Sequence, residues 1–178
     1  MTEQDLIQGC IRGERKCQEA VFRLYAGKML VVCMRYARHR MEAEDILQDA
    51  FIKVFRYINN FQHKGSFEGW IRRIVVNTAL KNIDKKSFTN EQIGIEDEKD
   101  TGAVPNVYSD LGEAELLKMV ASLPDGYRVV FNLYAIEGYS HKEIADLLDI
   151  GESTSRSQLV KARKLLQEMI LKTQKIAV

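Results

Sequence analysis

The sequence predicts an all-α protein of two small helical domains joined by a flexible acidic linker. Three observations carry this. Apolar residues recur at helical spacing through most of the chain, with no long strand-like alternation and only two prolines among 178 residues. That period stops over residues 88–111, a stretch holding Gly94, Gly102, Pro105 and Asn106. Charge is segregated at the same places. Residues 1–87 hold sixteen Lys/Arg against ten Asp/Glu, residues 88–117 one against eight, and residues 118–178 nine against seven. The overall charge of +1 therefore hides an acidic segment between two basic ones, and basic segments suit nucleic acid. The reading is 1–87 as a first domain, 88–111 as the linker and 112–178 as a second domain.

Residues 2 to about 39 read as helix broken near Gly13, opened by a Thr2 cap with Asp5 three residues on. Beyond the break Ala20, Val21, Leu24, Tyr25, Met29, Val32, Cys33 and Tyr36 mark the inward side. A second helix runs from Glu42 to Asn60 with Ile46, Leu47, Ala50, Phe51, Val54, Phe55 and Ile58 inward. Its opposite side holds Asp45, Gln48 and Asp49 at i, i+3, i+4, with Lys53 and Arg56 further on. After a loop at 59–65, Ser66 caps a third helix to about Lys86. Phe67, Trp70, Ile71, Ile74 and Thr78 face inward, and Arg72, Arg73, Asn77 and Lys81 outward.

Helices resume at Glu113–Leu123 and, capped by Asp125, run on through Ile136. Ser140 and Glu143 then form a capping box. Ile144, Ala145, Leu147 and Leu148 make the inner face of a short helix, and Asp149-Ile150-Gly151 a tight turn, with Asp149 where glycine is usual. The last helix, Glu152 to about Leu171, turns Leu159, Ala162, Leu166 and Met169 inward. Two short-linked helices of this kind are a helix-turn-helix, whose second helix enters the major groove. Its outward residues read as Ser153, Thr154, Ser155, Arg156 and Gln158, then Lys161, Arg163 and Lys164. Arg156 and Gln158 suit base edges, and the later cations suit phosphates.

Other chemistry is not indicated. No Ser/His/Asp set, metal-ligand spacing or phosphate-binding glycine loop is present, so no catalytic residue, no metal and no cofactor are expected. Cys10, Cys17 and Cys33 fall within helical apolar patterns and read as buried free thiols. His39, His63 and His141 read as solvated. No membrane span or secretory leader is evident, which places the protein in the cytoplasm without membrane insertion.

Three blocks then carry a resemblance. Ala43-Glu44-Asp45-Ile46-Leu47-Gln48-Asp49-Ala50-Phe51-Ile52-Lys53-Val54-Phe55, Phe67-Glu68-Gly69-Trp70-Ile71-Arg72-Arg73-Ile74-Val75-Val76-Asn77 and the helix-turn-helix occur in one order, with an acidic linker before the last. Together they resemble the extracytoplasmic-function class of RNA polymerase sigma factors of the sigma-70 family. The resemblance implies a non-enzymatic subunit directing promoter-specific initiation. Asp45, Gln48, Asp49, Lys53 and Arg56 would bind core RNA polymerase. Asn60, Phe61, Lys64, Arg72, Arg73, Asn77 and Lys81 would meet the minus-ten element and melted single strand. The last helix would read the minus-thirty-five duplex. An anti-sigma factor is a further implied partner. Two other readings stay open on the residues alone: a helix-turn-helix regulator acting without polymerase, and an adaptor that never reads DNA.

Overall fold

The computed structural model describes residues 2–81, 83 and 112–176. The segment 88–111 lies outside the described residues, as do Asp84 and Lys86. Every regular element among the described residues is helical, and the chain divides into two compact units, Met1–Asn82 and Ile83–Val178.

The first unit holds α1 (Glu3–Ile11), α2 (Arg15–Tyr36), α3 (Arg40–Tyr57), a 3-10 turn (Ile58–Asn60) and α4 (Phe67–Leu80). The expected capping box opens α1: Thr2 Oγ1 accepts from the Asp5 amide, and Asp5 Oδ2 from the Thr2 amide. Gly13, at φ +76°, turns the chain into α2. Gly9 lets the two helices approach, since a Cβ there would lie 2.2 Å from Cys17 Sγ and 2.8 Å from its Cβ. Gly9→Ala should therefore cost about 1–3 kcal/mol through overpacking, read as a lower urea midpoint at unchanged slope; an unchanged midpoint would refute the close approach.

Helix α3 begins at Arg40, two residues earlier than the sequence suggests, because His39 is its N-cap: Nδ1 accepts from the Glu42 amide at 3.2 Å. Glu42 reciprocates by accepting from the Arg38 amide at 2.7 Å. Helices α2, α3 and α4 pack on one another and α1 packs on α2. Their core joins Val21, Tyr25, Met29 and Cys33 to Ala43, Ile46, Ala50 and Val54 and to Phe67, Ile71, Val75 and Val76. Adjacent Val75 and Val76 are both buried because α4 lies against two neighbours. Leu24 departs from its expected place and is 55% exposed, since Val21 and Tyr25 set the buried face and Leu24 sits about 100° away from Tyr25. The three cysteines are free and buried; burial pushes the Cys10 thiol up to about 11 and Cys33 to about 12.

The second unit holds α5 (Glu113–Ala121), α6 (Asp125–Phe131), α7 (His141–Leu148) and α8 (Glu152–Ile176). Pro124, rather than Asp125, is the N-cap of α6, and Asp125 instead accepts from Arg128 Nη2 at 2.8 Å. The same guanidinium donates from Nη1 to the Ala121 carbonyl, closing the end of α5 where the helix dipole favours a cation. Helix α6 continues into a π-turn over Asn132–Ile136. Val120, Leu123, Ala162 and Leu166 form a core with Met119, Tyr127, Phe131, Leu165 and Met169 around it.

The Ser140–Glu143 capping box is present at α7, and Asp149 ends that helix in the left-handed region, at φ +56°. Ile144, Ala145 and Leu148 are buried. Leu147 is exposed, contrary to expectation, because it lies about 100° round the helix from Leu148. No described helix is long and apolar enough to cross a membrane.

Candidate nucleic-acid interface

Three surfaces hold the residues singled out in the sequence. On α3 the outer face is set by the same phase that buries Ile46, Ala50 and Val54. Asp45, Gln48, Asp49 and Arg56 are all exposed there. Two apolar residues that the sequence reading passed over share the face, Met41 at 71% exposure and Ile52 at 57%. Their signal was legible: Ile52 is the one apolar residue of its turn that falls off the buried stripe. Lys53 leaves the group. Its ammonium crosses to α4 and donates to Thr78 Oγ1 at 3.0 Å, and Thr78 in turn donates to the Ile74 carbonyl. A long lysine stem reaches a buried hydroxyl that position along the helix does not reveal. The outer face of α3 is therefore apolar and acidic, with Arg56 at its end.

The second surface is α4 with the loop before it. Ser66 caps α4, accepting from the Gly69 amide at 3.1 Å. Trp70, Arg73, Asn77 and Lys81 fall within one face by helical phase; Trp70 is half-buried and the other three are exposed. Arg72 lies on the opposite side of the helix and is half-buried, so it does not join this row. Asn60 is exposed at the end of the 3-10 turn and Lys64 in the loop that follows, where His63 and Gly65 take positive φ. Phe61 is not an open stacking platform. It is 9% exposed and packs at 5.2 Å from Phe67, 5.6 Å from Trp70 and 4.7 Å from His63, ring centre to ring centre. These contacts tie the loop to the aromatic cluster of α4.

The third surface is α8. Ser153 and Arg156 are exposed, Thr154 is half-buried, and Lys161, Arg163 and Lys164 follow. Arg156 Nη2 donates to Glu152 Oε2 at 2.8 Å, a surface pair that orients the guanidinium from one turn back. Val160, half-buried, falls between Arg156 and Lys164 by helical phase, an apolar side chain of the kind that suits a thymine methyl. Ser155 and Gln158 are not on this face. They are 0% and 2% exposed and continue inward the stripe of Leu159, Ala162 and Leu166. Four residues back from Leu159 and Ala162 lie Ser155 and Gln158, so the helical phase places both inside despite their polar side chains.

His141 is likewise not a solvated surface residue. Its ring stacks on Tyr134 at 4.5 Å and 21°, and its Nδ1 shares a 2.9 Å hydrogen bond with Ser155 Oγ. Arg163 lies over the same Tyr134 ring, 5.8 Å from its centre.

An exposed acidic helix face, an amide- and cation-bearing helix face and a basic helix-turn-helix thus sit in order along one chain. Comparison with known proteins matches two segments of the chain to two families. Residues 21–89 match the family described as Sigma-70 region 2, and residues 113–166 the family described as Sigma-70, region 4. The ECF RNA polymerase sigma-E factor of Haemophilus influenzae is 29% identical over 182 residues, covering 96% of this chain and 96% of that protein. The RNA polymerase sigma-H factor of Pseudomonas aeruginosa is 26% identical over 180 residues, covering 94% and 93%. Among solved structures, the fold is similar to the sigma factor RpoE in complex with the anti-sigma factor NepR from Bartonella quintana. The TM-score is 0.53 at 21% identity, with 86% of this chain and 96% of that one covered.

Proposed function

The chain belongs to the sigma-70 family, in its extracytoplasmic-function class, and from that premise we propose that it binds core RNA polymerase and directs promoter-specific transcription initiation. The observation that carries the reading is the sequence of three separate faces, on α3, α4 and α8, each suited to a different partner.

In this reading the acidic and apolar face of α3 docks on the polymerase through Asp45, Gln48, Asp49 and Arg56, with Met41 and Ile52 supplying apolar contact. Charge complementarity speeds encounter and selects a basic partner, and the apolar pair supplies area that desolvates the contact. The face of α4 meets the minus-ten element. Arg73 and Lys81 neutralise phosphate, Asn77 offers an amide to a base edge, and Asn60 and Lys64 extend the row along the displaced strand. Binding the single strand in preference to the duplex pulls the duplex open, because a ligand shifts an equilibrium by its differential affinity. Helix α8 reads the minus-thirty-five duplex with Ser153, Thr154 and Arg156 at the base edges and Lys161, Arg163 and Lys164 at the phosphates.

Two weak binding modules in one chain raise each other's effective concentration, so the two elements are held together more tightly than either alone. We place the modules at 1–87 and 112–178, with 88–111 between them. The chemistry of RNA synthesis stays with the polymerase; this chain contributes recognition and strand capture and works in the cytoplasm. An anti-sigma factor covering these faces is the natural means of silencing it.

The test is run-off transcription with core polymerase lacking any sigma subunit, on fragmented genomic DNA of the source organism. Discrete new start sites upon adding the chain are expected. Retardation of duplex DNA by the chain alone, with no binding to core polymerase and no new starts, would refute the assignment.

Within α8 the two contact types should separate. Arg156→Ala is expected to cost about 1–3 kcal/mol on the matched element and to relax preference at one position. Lys164→Ala is expected to weaken matched and scrambled fragments alike and to lower the salt slope by about one unit. Filter binding of the holoenzyme across a salt series reads both. Equal behaviour of the two variants would refute this division.

A further inference from the structure

On the promoter reading above, we propose that His141 is a positioning residue: its bond to Ser155 sets the rotation of α8 about its own axis and so sharpens the choice of minus-thirty-five sequence.

The inner face of α8 is polar at its first two turns, where apolar side chains would pack at less cost. Ser155 is fully buried, and its hydroxyl is bonded to Nδ1 of His141, fourteen residues earlier at the start of α7. Apolar packing is non-directional and tolerates a small roll of one helix on another, whereas a hydrogen bond from a different helix weakens steeply as its angle changes. Ser155 therefore fixes a rotation that Leu159, Ala162 and Leu166 only bias.

Gln158 supplies the opposing tendency. It is 2% exposed, and its Oε1 has no hydrogen-bond partner. An unsatisfied buried acceptor favours any roll of α8 that brings it to water. The Ser155–His141 bond resists that roll one turn away.

The same imidazole is held from its other side. Its ring lies on Tyr134, and the Tyr134 ring also carries the Arg163 guanidinium, within cation–π range. Arg163 stands about two turns beyond Ser155 on α8. His141 and Tyr134 together thus grip α8 at two heights. A roll of about 20° would shift a side-chain tip on the outer face by roughly 2 Å, given a helix radius of about 5 Å with side chains. That is enough to spoil a bidentate contact from Arg156 while leaving phosphate contacts in reach.

The experiment uses holoenzyme reconstituted from core polymerase and the full chain. A fragment carrying a start site found with the wild-type chain is compared with the same fragment scrambled at the minus-thirty-five element, and the ratio of run-off yields is the readout. His141→Phe keeps the ring and removes the bond; Ser155→Ala removes it from the other side with little change of volume. Each is expected to lower the ratio roughly fivefold, the size of one buried hydrogen bond. The double variant should lose no more than either single one, and His141→Asn, which returns a polar atom near the place of Nδ1, should recover most of the ratio. Binding to core polymerase should not change.

An unchanged ratio in Ser155→Ala, an additive loss in the double variant, no recovery in His141→Asn, or an equal fall on matched and scrambled fragments would each overturn the proposal. A wild-type complex that makes no choice between the fragments would overturn the promoter reading itself, and this inference with it.

Discussion

Replacing Asp45 and Asp49 together with lysine should lower run-off transcription roughly a hundredfold at limiting chain concentration, because like charges set opposite one another across an interface cost several kcal/mol. Both carboxylates stand exposed on the outer face of α3, and the residues that carry the fold of that helix, Ile46, Ala50 and Val54, lie on its other side. The double variant should therefore melt within a degree or two of wild type, since surface substitutions away from packed or capped positions move stability by about 0.5 kcal/mol or less. Competition for core polymerase against the wild-type chain measures the first effect, and thermal unfolding the second. Binding to core that survived charge reversal would remove α3 from the polymerase interface. Retained retardation of duplex DNA by the variant shows that the loss lies at the polymerase and not at α8.

Phe67→Ala should destabilise the first unit by about 3–5 kcal/mol, the range for deleting a buried ring from a packed core. Phe67 is among the largest fully buried side chains. It meets Tyr25 edge-on at 5.7 Å, Phe61 at 5.2 Å and Trp70 in a stacked pair at 5.8 Å. The void would thus open beneath the loop that carries Lys64 and at the start of α4, the helix that presents Arg73. Trp70 is the sole tryptophan of the chain, so its fluorescence reports this unit selectively. A fall of well over 10 °C in the fluorescence midpoint is expected for a unit of this size. A shift of only a few degrees would mean that the ring cluster collapses to fill the space, and that Phe61 does not depend on Phe67 for its place.

The helices and the order of their faces were legible because they rest on periodicity and on caps. Ser140 and Glu143 announce α7 before any packing is considered, and Thr2 with Asp5 does the same for α1. Four departures, at Ser155, Gln158, Leu24 and Leu147, share one physical origin: helical phase, not side-chain polarity, decides which residues face inward. Ser155 and Gln158 have the polar side chains of a DNA-facing row, yet they lie four residues before the buried Leu159 and Ala162 and are inside with them. Leu24 and Leu147 are the converse, apolar side chains placed inward by type although their neighbours Tyr25 and Leu148 already define the buried face. Two features carried no usable signal. The reach of Lys53 to Thr78 depends on how close α3 and α4 pass, and the stacking of His141 on Tyr134 depends on how α6 ends.

The way α6 ends has a consequence for how this family of sequences can vary. A π-turn holds one residue more than the α-turn it replaces. The Asn132–Ile136 turn thus holds one residue more than regular α-helix would, with the ladder kept by the Glu137 amide donating to the Asn132 carbonyl. Elsewhere in the second unit, removing a residue rotates everything beyond it by about 100° relative to the core. Here deletion would return the segment to regular α-helix, and the change would be taken up locally. An alignment of relatives should then place single-residue gaps at 132–136 more often than in α7 or α8. Relatives lacking that residue would carry Tyr134 in another direction, with a different aromatic partner for residue 141 or none.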